Sequence, residues 1–531
     1  MSDKTKGKLG LAGLALMIFT SVYGFNNIPR AFYMMGYGAI PWYIIGGIGF
    51  FLPFAFMVTE LGSAFKDEKG GIYSWMEKAV GPTFAFIGTL MWYLSYVVWM
   101  VNISSGILAP LGAAIFGDAS IINSIAPWIM SLLGVLVISL VTFFSSFGLN
   151  AIKKVTSIGG VAVLALNALL LIGAVIVVIA QGHPTMPIDL HALTTSPNPT
   201  FDNGSIIGFF AFIVFAVFAY GGVEAVGGLV DETENPKKNF PKGVMMSAVI
   251  IAVGYSLMIF LIGLFLDYKT GGAFWEGVKS SQYNFGNASY VIMDFLGQSL
   301  GHAFGMSNSG AHLIGNIFQH FMGLSIFLSL MGAFFTLIYS PAKQIVSGTP
   351  EKLWPGKLGK LDEKGMPRNL MMVQWAIVVI IILIVMVVNL AGGQDGQHAT
   401  AIFFTILTNM TNVALTLPYL FIVYAFARFK FNHHIKKPFE IYNKAWALIA
   451  TVVALVVLIF ADGFTVLQPL IQPSSVEGTG LSPIVSFATM VGGPLVFAII
   501  AIAMMQVYKS KHPQEYAALH ELDASEVSEE E

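Results

Sequence analysis

The sequence predicts an all-α membrane protein of twelve transmembrane helices. Two inverted sets of five are followed by two more, and helices 1 and 6 are broken. Three observations predict this. First, 56% of the 531 residues are hydrophobic and only 11% are charged, against about a quarter charged in an average soluble domain. Second, apolar runs long enough to cross a bilayer alternate with loops whose basic residues fall on one side. Third, two of those runs, at matching positions of the two five-helix sets, carry helix-breaking residues in their middle.

A hydrocarbon core of roughly 30 Å needs about 20 apolar residues per helix. By that measure the spans are 9–35, 40–65, 80–116, 127–149, 155–180, 205–232, 243–266, 313–342, 369–390, 401–427, 445–461 and 485–507. Span 3 has room for an interfacial piece at one end, and span 11 is the shortest. The basic N-terminus followed by an apolar run imitates a signal peptide. That run continues past Pro29 to Met35 with no cleavage site leading into a polar domain, so it is read as span 1.

Orientation follows from the basic residues, because Lys and Arg gather in cytoplasmic loops. With the N-terminus inside, 24 of the 27 lie in cytoplasmic segments; Lys269 and Lys279 fall outside, and Arg30 lies within span 1. Adding or removing one span would scramble that alternation. The expected organisation is a cytoplasmic N-terminus (1–8), a first five-helix repeat (9–180), a second (205–427), spans 11 and 12 (445–507) and an acidic cytoplasmic tail (508–531). The long outer connection contains "YVIMDFLGQSLGHAF", which reads as a surface helix lying on the membrane. The tail "HELDASEVSEEE" reads as solvated and disordered.

Composition also excludes. With no cysteine, disulfides, thiolate metal sites and cysteine nucleophiles are ruled out. The ten histidines show no metal-ligand spacing, and a net charge of −2 argues against nucleic acid as a partner. No nucleophile–base pair or ligand set gathers at one depth, so neither an enzyme nor a metal or other cofactor is expected. The expected partners are a small-molecule ligand and the lipid bilayer.

Apolar spans run as continuous helices because unsatisfied backbone groups are costly in lipid. Span 1 reads "MIFTSVYGFNNIPRAFYMMGYG", with Gly24, Asn26-Asn27 and Pro29 close together. Span 6 ends "FAYGGVEAVGGLVDETENP", with Gly221, Gly222 and Glu224. Close helix packing by small residues explains one such span. Two at matched positions point to a midplane binding site in an inverted-repeat transporter. Where a helix unwinds, N–H groups at the start of its second half bind a carboxylate, and freed carbonyls bind an ammonium. A zwitterionic amino acid matches both. The expected binding residues are therefore Ser21, Val22, Tyr23, Gly24, Phe25 and Asn26 in span 1, with Ala219, Tyr220, Gly221 and Gly222 in span 6.

These residues carry a resemblance. "FAYGGVEAVGGLVDETENPKKNFPKGV" resembles the sixth-span signature of the amino acid–polyamine–organocation (APC) superfamily. "TELGSAFKDEKGGIYSWMEKAVGP" resembles its loop between spans 2 and 3, and "SPAKQIVSGTPEKLWPGKLGKLDEKGMP" its loop after span 8. Within the superfamily the chain looks most like bacterial glutamate:GABA antiporters, from "FAYGGVEA" and "FTSVYGFNNIPRAFYMMGY". The resemblance implies the LeuT-like APC fold and an amino acid transporter, an exchanger before a proton symporter or a non-transporting sensor. It also implies a gating aromatic at Phe218 and substrate-binding aromatics at Phe334 and, in the Trp92–Tyr96–Trp99 stripe of span 3, at Tyr96, although a stripe at helical spacing is more often core than site. The chain departs from the superfamily at Val22-Tyr23-Gly24, where many members have Gly-Ser-Gly. It has Asn167 in span 5, where many proton-coupled relatives have lysine.

Four further polar residues stand out. Glu224 is ionisable within a span and so reads as functional, through proton sensing, coupling or holding the unwound segment; the plainer alternative is a protonated carboxyl that satisfies backbone donors. Arg30 either attracts an anionic substrate or snorkels to the interface. Glu60, at the inner end of span 2, is expected to pair with a cytoplasmic lysine. His320 is expected at the outer mouth as a hydrated interfacial group. "TNMTN" (Thr408 to Asn412) reads equally as interhelical hydrogen bonding or as substrate contact.

Overall fold

Span 1 is two helices, α1 (Leu11–Val22) and α2 (Asn27–Met35), joined by an extended residue and a turn. Pro29 sits in the first turn of α2, where a missing N–H costs nothing. The structure is a computed structural model that describes residues 9–201, 205–230, 232–476 and 481–519. The acidic tail from His520 onward and the side chains of Thr408, Asn409, Thr411 and Asn412 lie outside the described residues.

Span 2 is α3 (Ala39–Gly46), a wide π turn over Gly47–Phe51, and α4 (Leu52–Ala64). After α5 (Ile72–Val80) in the connecting loop, span 3 is α6 (Pro82–Gly106) continued by the short α7 (Leu108–Phe116). Spans 4 and 5 are α8 (Pro127–Ser145) and α9 (Leu149–Gln181), and α10 (Leu190–Thr194) lies in the next loop. Span 6 is α11 (Ile206–Phe218), a turn, and a tight 3-10 segment over Val223–Leu229. Span 7 is α12 (Pro236–Ile262); α13 (Ala273–Lys279) and α14 (Ala288–Ala303) follow it, and span 8 is α15 (Asn308–Gly348).

Spans 9 and 10 share one helical run, α16 (Arg368–Phe431). A straight helix of that length would reach about 96 Å. Yet Tyr93 on α6 bonds Gln374 at 3.0 Å, while Tyr96, one turn on, bonds Glu224, whose neighbour Gly222 bonds Tyr419. The run therefore doubles back, giving crossings over Arg368–Ala391 and Val413–Phe431. Spans 11 and 12 are α17 (Lys444–Ile471) and α18 (Pro483–Lys511).

Among the described residues eleven helical segments are long and apolar enough to cross a bilayer. The twelfth crossing is span 1: α1 is too short to count alone, and α2 is counted together with span 2 in the segment Asn27–Ala64. The fold is thus the twelve-helix arrangement with breaks in helices 1 and 6 that the sequence predicts. Two details differ. Span 11 runs ten residues beyond 461, because Asp462 ends the apolar count without ending the helix. The predicted surface helix is α14, but its apolar face, with Ile292, Met293 and Leu296, is buried in protein against α9 and α15. A Cβ on Gly297 would meet the Gly315 backbone at 2.7 Å, so the α14–α15 contact is backbone to backbone. Outward, Ile158, Val161, Ile172 and Ile179 leave α9 an exposed apolar stripe, the face that lipid covers.

Candidate substrate site at the two breaks

The two interruptions meet. Gly222 has φ +115°, a conformation that suits glycine, and a Cβ there would lie 2.5 Å from the Ser21 carbonyl oxygen. The backbone of span 6 therefore touches the backbone of span 1 where both unwind.

Around that contact the span 1 break is held by neutral groups. Tyr255 of span 7 accepts from the Gly24 N–H at 3.0 Å and donates to the Ala219 carbonyl at 2.9 Å, so one hydroxyl ties the two breaks together. Tyr23 donates to Asn167 of span 5 at 2.8 Å. The rings of Tyr23, Tyr43, Tyr220 and Tyr255 pack on one another at centroid distances of 4.7–5.8 Å. Tyr220 donates to the Tyr43 carbonyl at 2.9 Å.

The span 6 break is held by a carboxyl. Glu224 is fully buried and accepts from Trp92 Nε1 and from the Tyr96 hydroxyl, each at 3.0 Å, and from the Gly222 N–H at 3.2 Å. Gly222 N–H is shared with Tyr419 of span 10 at 3.1 Å. Tyr96, expected as a substrate-binding residue, thus turns its hydroxyl to Glu224. Phe334 is buried with its ring 5.7 Å from that of Trp99, edge on. Phe218 is half-buried at the end of α11, and its carbonyl accepts from Gly221 N–H.

Some donors at the breaks remain unused. Asn27 and Ile28 give their N–H groups to Gly24 and Phe25, and Pro29 has none. Among the described residues the N–H groups of Phe25 and Asn26 have no partner. The buried hydroxyls of Ser21 and Tyr43 have none either. A gap between two helix ends with unpaired donors in a low-dielectric interior is suited to an anionic group.

The remaining polar residues lie away from the breaks. Glu60 pairs with Lys430 at 2.8 Å, both with no exposed side-chain surface, and also accepts from Ile441 and Tyr442 N–H. Lys430 reaches Glu440 at 2.8 Å as well, which holds the Glu440 carboxyl below its ordinary pKa. Arg30 donates to the Phe285 carbonyl and lies 4.5 Å over its ring, pinning the loop before α14 to span 1. His320 lies beside the end of α7, its Nδ1 2.9 Å from the Ala114 carbonyl.

The family model described as Amino acid permease matches residues 9–492. The chain belongs to that family. Inner membrane transporter YjeM of Escherichia coli is 44% identical to this permease over 517 residues, 96% of this chain and 98% of that protein. A glutamate/gamma-aminobutyrate antiporter of Lactococcus lactis is 25% identical over 375 residues, 70% of this chain and 67% of that one. A solved manganese transporter of Eremococcus coleocola superimposes with a TM-score of 0.56 at 10% identity, covering 93% of this chain and 94% of its own. That likeness is one of fold. The permease is therefore a multi-pass membrane transporter and not an enzyme. The sequence missed Tyr43, Tyr255 and Tyr419 as the groups that hold the breaks; only their aromatic character was visible.

Proposed function

We propose that this permease exchanges an amino acid for a related amino acid or its amine across the cytoplasmic membrane, by alternating access through one pocket. Both termini are cytoplasmic in this reading, following the basic loops. The observation that carries it is the meeting of two broken helices at Gly222 and Ser21, with unpaired donors on Ser21, Phe25 and Asn26. Those donors suit a substrate carboxylate. Ser21–Asn26 and Ala219–Gly222 form the pocket, Tyr96 and Phe334 stand behind its walls, and Phe218 is the gate. Glu224 senses or couples protons through its contact with the Gly222 N–H.

Exchange is favoured over one-way transport for a physical reason. An empty pocket leaves buried donors unpaired at membrane depth, and each costs several kcal/mol unless water reaches it. The loaded carrier then reorients more easily than the empty one. Asn167, which holds Tyr23, is neutral, so span 5 places no lysine at that position. The antiporter relative from Lactococcus lactis supports the same reading.

Preloaded proteoliposomes should take up labelled amino acid much faster than empty ones, with the substrate first found by a thermal-shift screen of amino acids, amines and GABA. Equal uptake by both under an imposed proton gradient would make the protein a symporter. Binding without flux would make it a sensor.

A further inference from the structure

Besides Glu224, a second buried carboxyl without a paired lysine lies inside the helical bundle, on span 11. Asp462 is only 5% exposed and stands 18 residues into α17, about 27 Å from its first residue Lys444. One oxygen, Oδ1, meets the hydroxyl of Thr416 on span 10. The other, Oδ2, is buried with no partner. Thr416 also lies 3.2 Å from the Val413 carbonyl, the local backbone bond that a helical threonine ordinarily makes. A threonine hydroxyl has one hydrogen. That one hydrogen is donated to Asp462 Oδ1 and shared with the Val413 carbonyl, so the carboxyl has a single shared donor on Oδ1 and none on Oδ2.

Among the described residues no cation balances the group. Helix α17 packs against α16, α18, α11, the π turn and α4. Helix α11 and the π turn carry no ionisable side chain, and α4 carries only Glu60, which Lys430 already pairs. The ionisable residues of α18 are Tyr508, Lys509 and Lys511 in its last turns. On the described part of span 10 the ionisable side chain facing Asp462 is Tyr419, one helical turn from Thr416; Tyr424, Arg428 and Lys430 lie nearer the basic end. Tyr419 is the residue that holds Gly222 N–H at the span 6 break, and it interacts with Glu224 as well as with Asp462. An isolated carboxylate in such a place is costly, and intramembrane carboxyls of this kind mark proton sites.

We propose that Asp462 is a proton-binding site distinct from Glu224, whose occupancy sets the hold of span 10 on the broken span 6. The proton comes from and returns to water, and no other bond changes. Protonated, Asp462 is neutral and spans 10 and 11 stay packed through Thr416. Deprotonated, it places an unbalanced charge beside Tyr419 and loosens the Tyr419–Gly222 contact.

The site itself does not depend on the exchange reading; only the transport arm of its test does. Infrared difference spectra of purified protein in lipid nanodiscs should show, at neutral pH, a protonated-carboxyl stretch that Asp462→Asn removes and Thr416→Val shifts. Superimposable spectra of the native protein and Asp462→Asn would overturn the proposal. In preloaded proteoliposomes, native exchange should fall toward alkaline pH, roughly tenfold per unit once the carboxyl has ionised. Asp462→Asn should keep its acid-side rate there, and Glu224→Gln should retain the alkaline fall. A pH profile unchanged by Asp462→Asn would make the residue purely structural and would likewise overturn the proposal. If the native protein exchanges no amino acid at any pH, the exchange reading fails, and the infrared band alone decides Asp462.

Discussion

Spans 1 and 6 unwind against each other and are held by the same scheme, yet with different chemistry. Each break is tied to the fifth helix of its own set, Tyr23 to Asn167 and Gly222 to Tyr419. Each is also tied to the second helix of the other set, Gly24 to Tyr255 and Tyr220 to the Tyr43 carbonyl. The inverted repeat is thus visible in the hydrogen bonds that support the breaks. The difference is Glu224. Every group named on the span 1 side is a hydroxyl, an amide or a backbone group and keeps its charge state over ordinary pH. The span 6 side converges Trp92, Tyr96 and Gly222 on a carboxyl. On the proposed reading, span 1 is the fixed half of the site and span 6 is the half that responds.

Removing the contact itself should have the largest effect. Gly222→Ala combines a left-handed φ with a Cβ 2.5 Å from the Ser21 carbonyl. Backbone strain of this kind costs about 1–3 kcal/mol before the clash is counted. The clash is relieved only by separating the two breaks. Counterflow should be abolished and the melting temperature lowered. Exchange near the native rate would mean that the breaks need not touch during transport.

Next comes the carboxyl. Glu224→Ala leaves the buried Trp92 Nε1–H and Tyr96 O–H without an acceptor, each at a cost of about 1–3 kcal/mol. Glu224→Gln keeps an oxygen for them but turns an NH2 toward the Gly222 N–H. The alanine variant should lose both stability and exchange. The glutamine variant should fold, exchange more slowly and show a pH profile of altered shape. A glutamine variant with the native profile would remove Glu224 from proton coupling and leave it only the role of satisfying donors.

Tyr255→Phe should rank third, because one hydroxyl serves both breaks. Losing it strands the Ala219 carbonyl and weakens the hold on Gly24, a destabilisation of about 1–3 kcal/mol. Thermal melts of purified protein measure it. A loss no larger than that of Tyr23→Phe would show that the two breaks are not coupled through span 7.

The depth at which sequence reasoning stopped follows from what each signal measures. Hydropathy and the one-sided basic loops report burial and charge, so all twelve crossings were legible. Gly24, Pro29, Gly221 and Gly222 interrupt helices by local rules, so the breaks were legible too. Glu224 and Glu60 stood out because a buried carboxylate needs a reason, and Glu60 found the predicted lysine in Lys430. Tyr43, Tyr255 and Tyr419 did not stand out, because a chain with 13% aromatic residues offers many candidates, and Trp92 stood out only as part of a stripe. Which ring faces a break depends on how each helix is rotated and packed, and one sequence does not encode that visibly. Asp462 is hidden for the opposite reason: it directly follows the 445–461 run, where a carboxyl looks like the end of a span, whereas the helix continues to Ile471.

The smallest effect offers the sharpest test of the difference between the halves. Tyr23→Phe removes one neutral hydrogen bond, worth about 1 kcal/mol, and leaves Asn167 its bond to the Val163 carbonyl. Tyr96→Phe removes one bond of the same length class, but to the carboxyl of Glu224. Both variants keep the ring and its packing, so they differ in what the lost hydroxyl was bonded to. A bond to a neutral amide is the same at every pH, and a bond to a titrating carboxyl is not, because each protonation state values the donor differently. The ratio of Tyr23→Phe to native exchange should therefore stay constant across a pH series. The ratio for Tyr96→Phe should change with pH. If both ratios stay flat, Glu224 keeps one protonation state throughout transport, and the responding half of the site has to be sought on span 10 or 11.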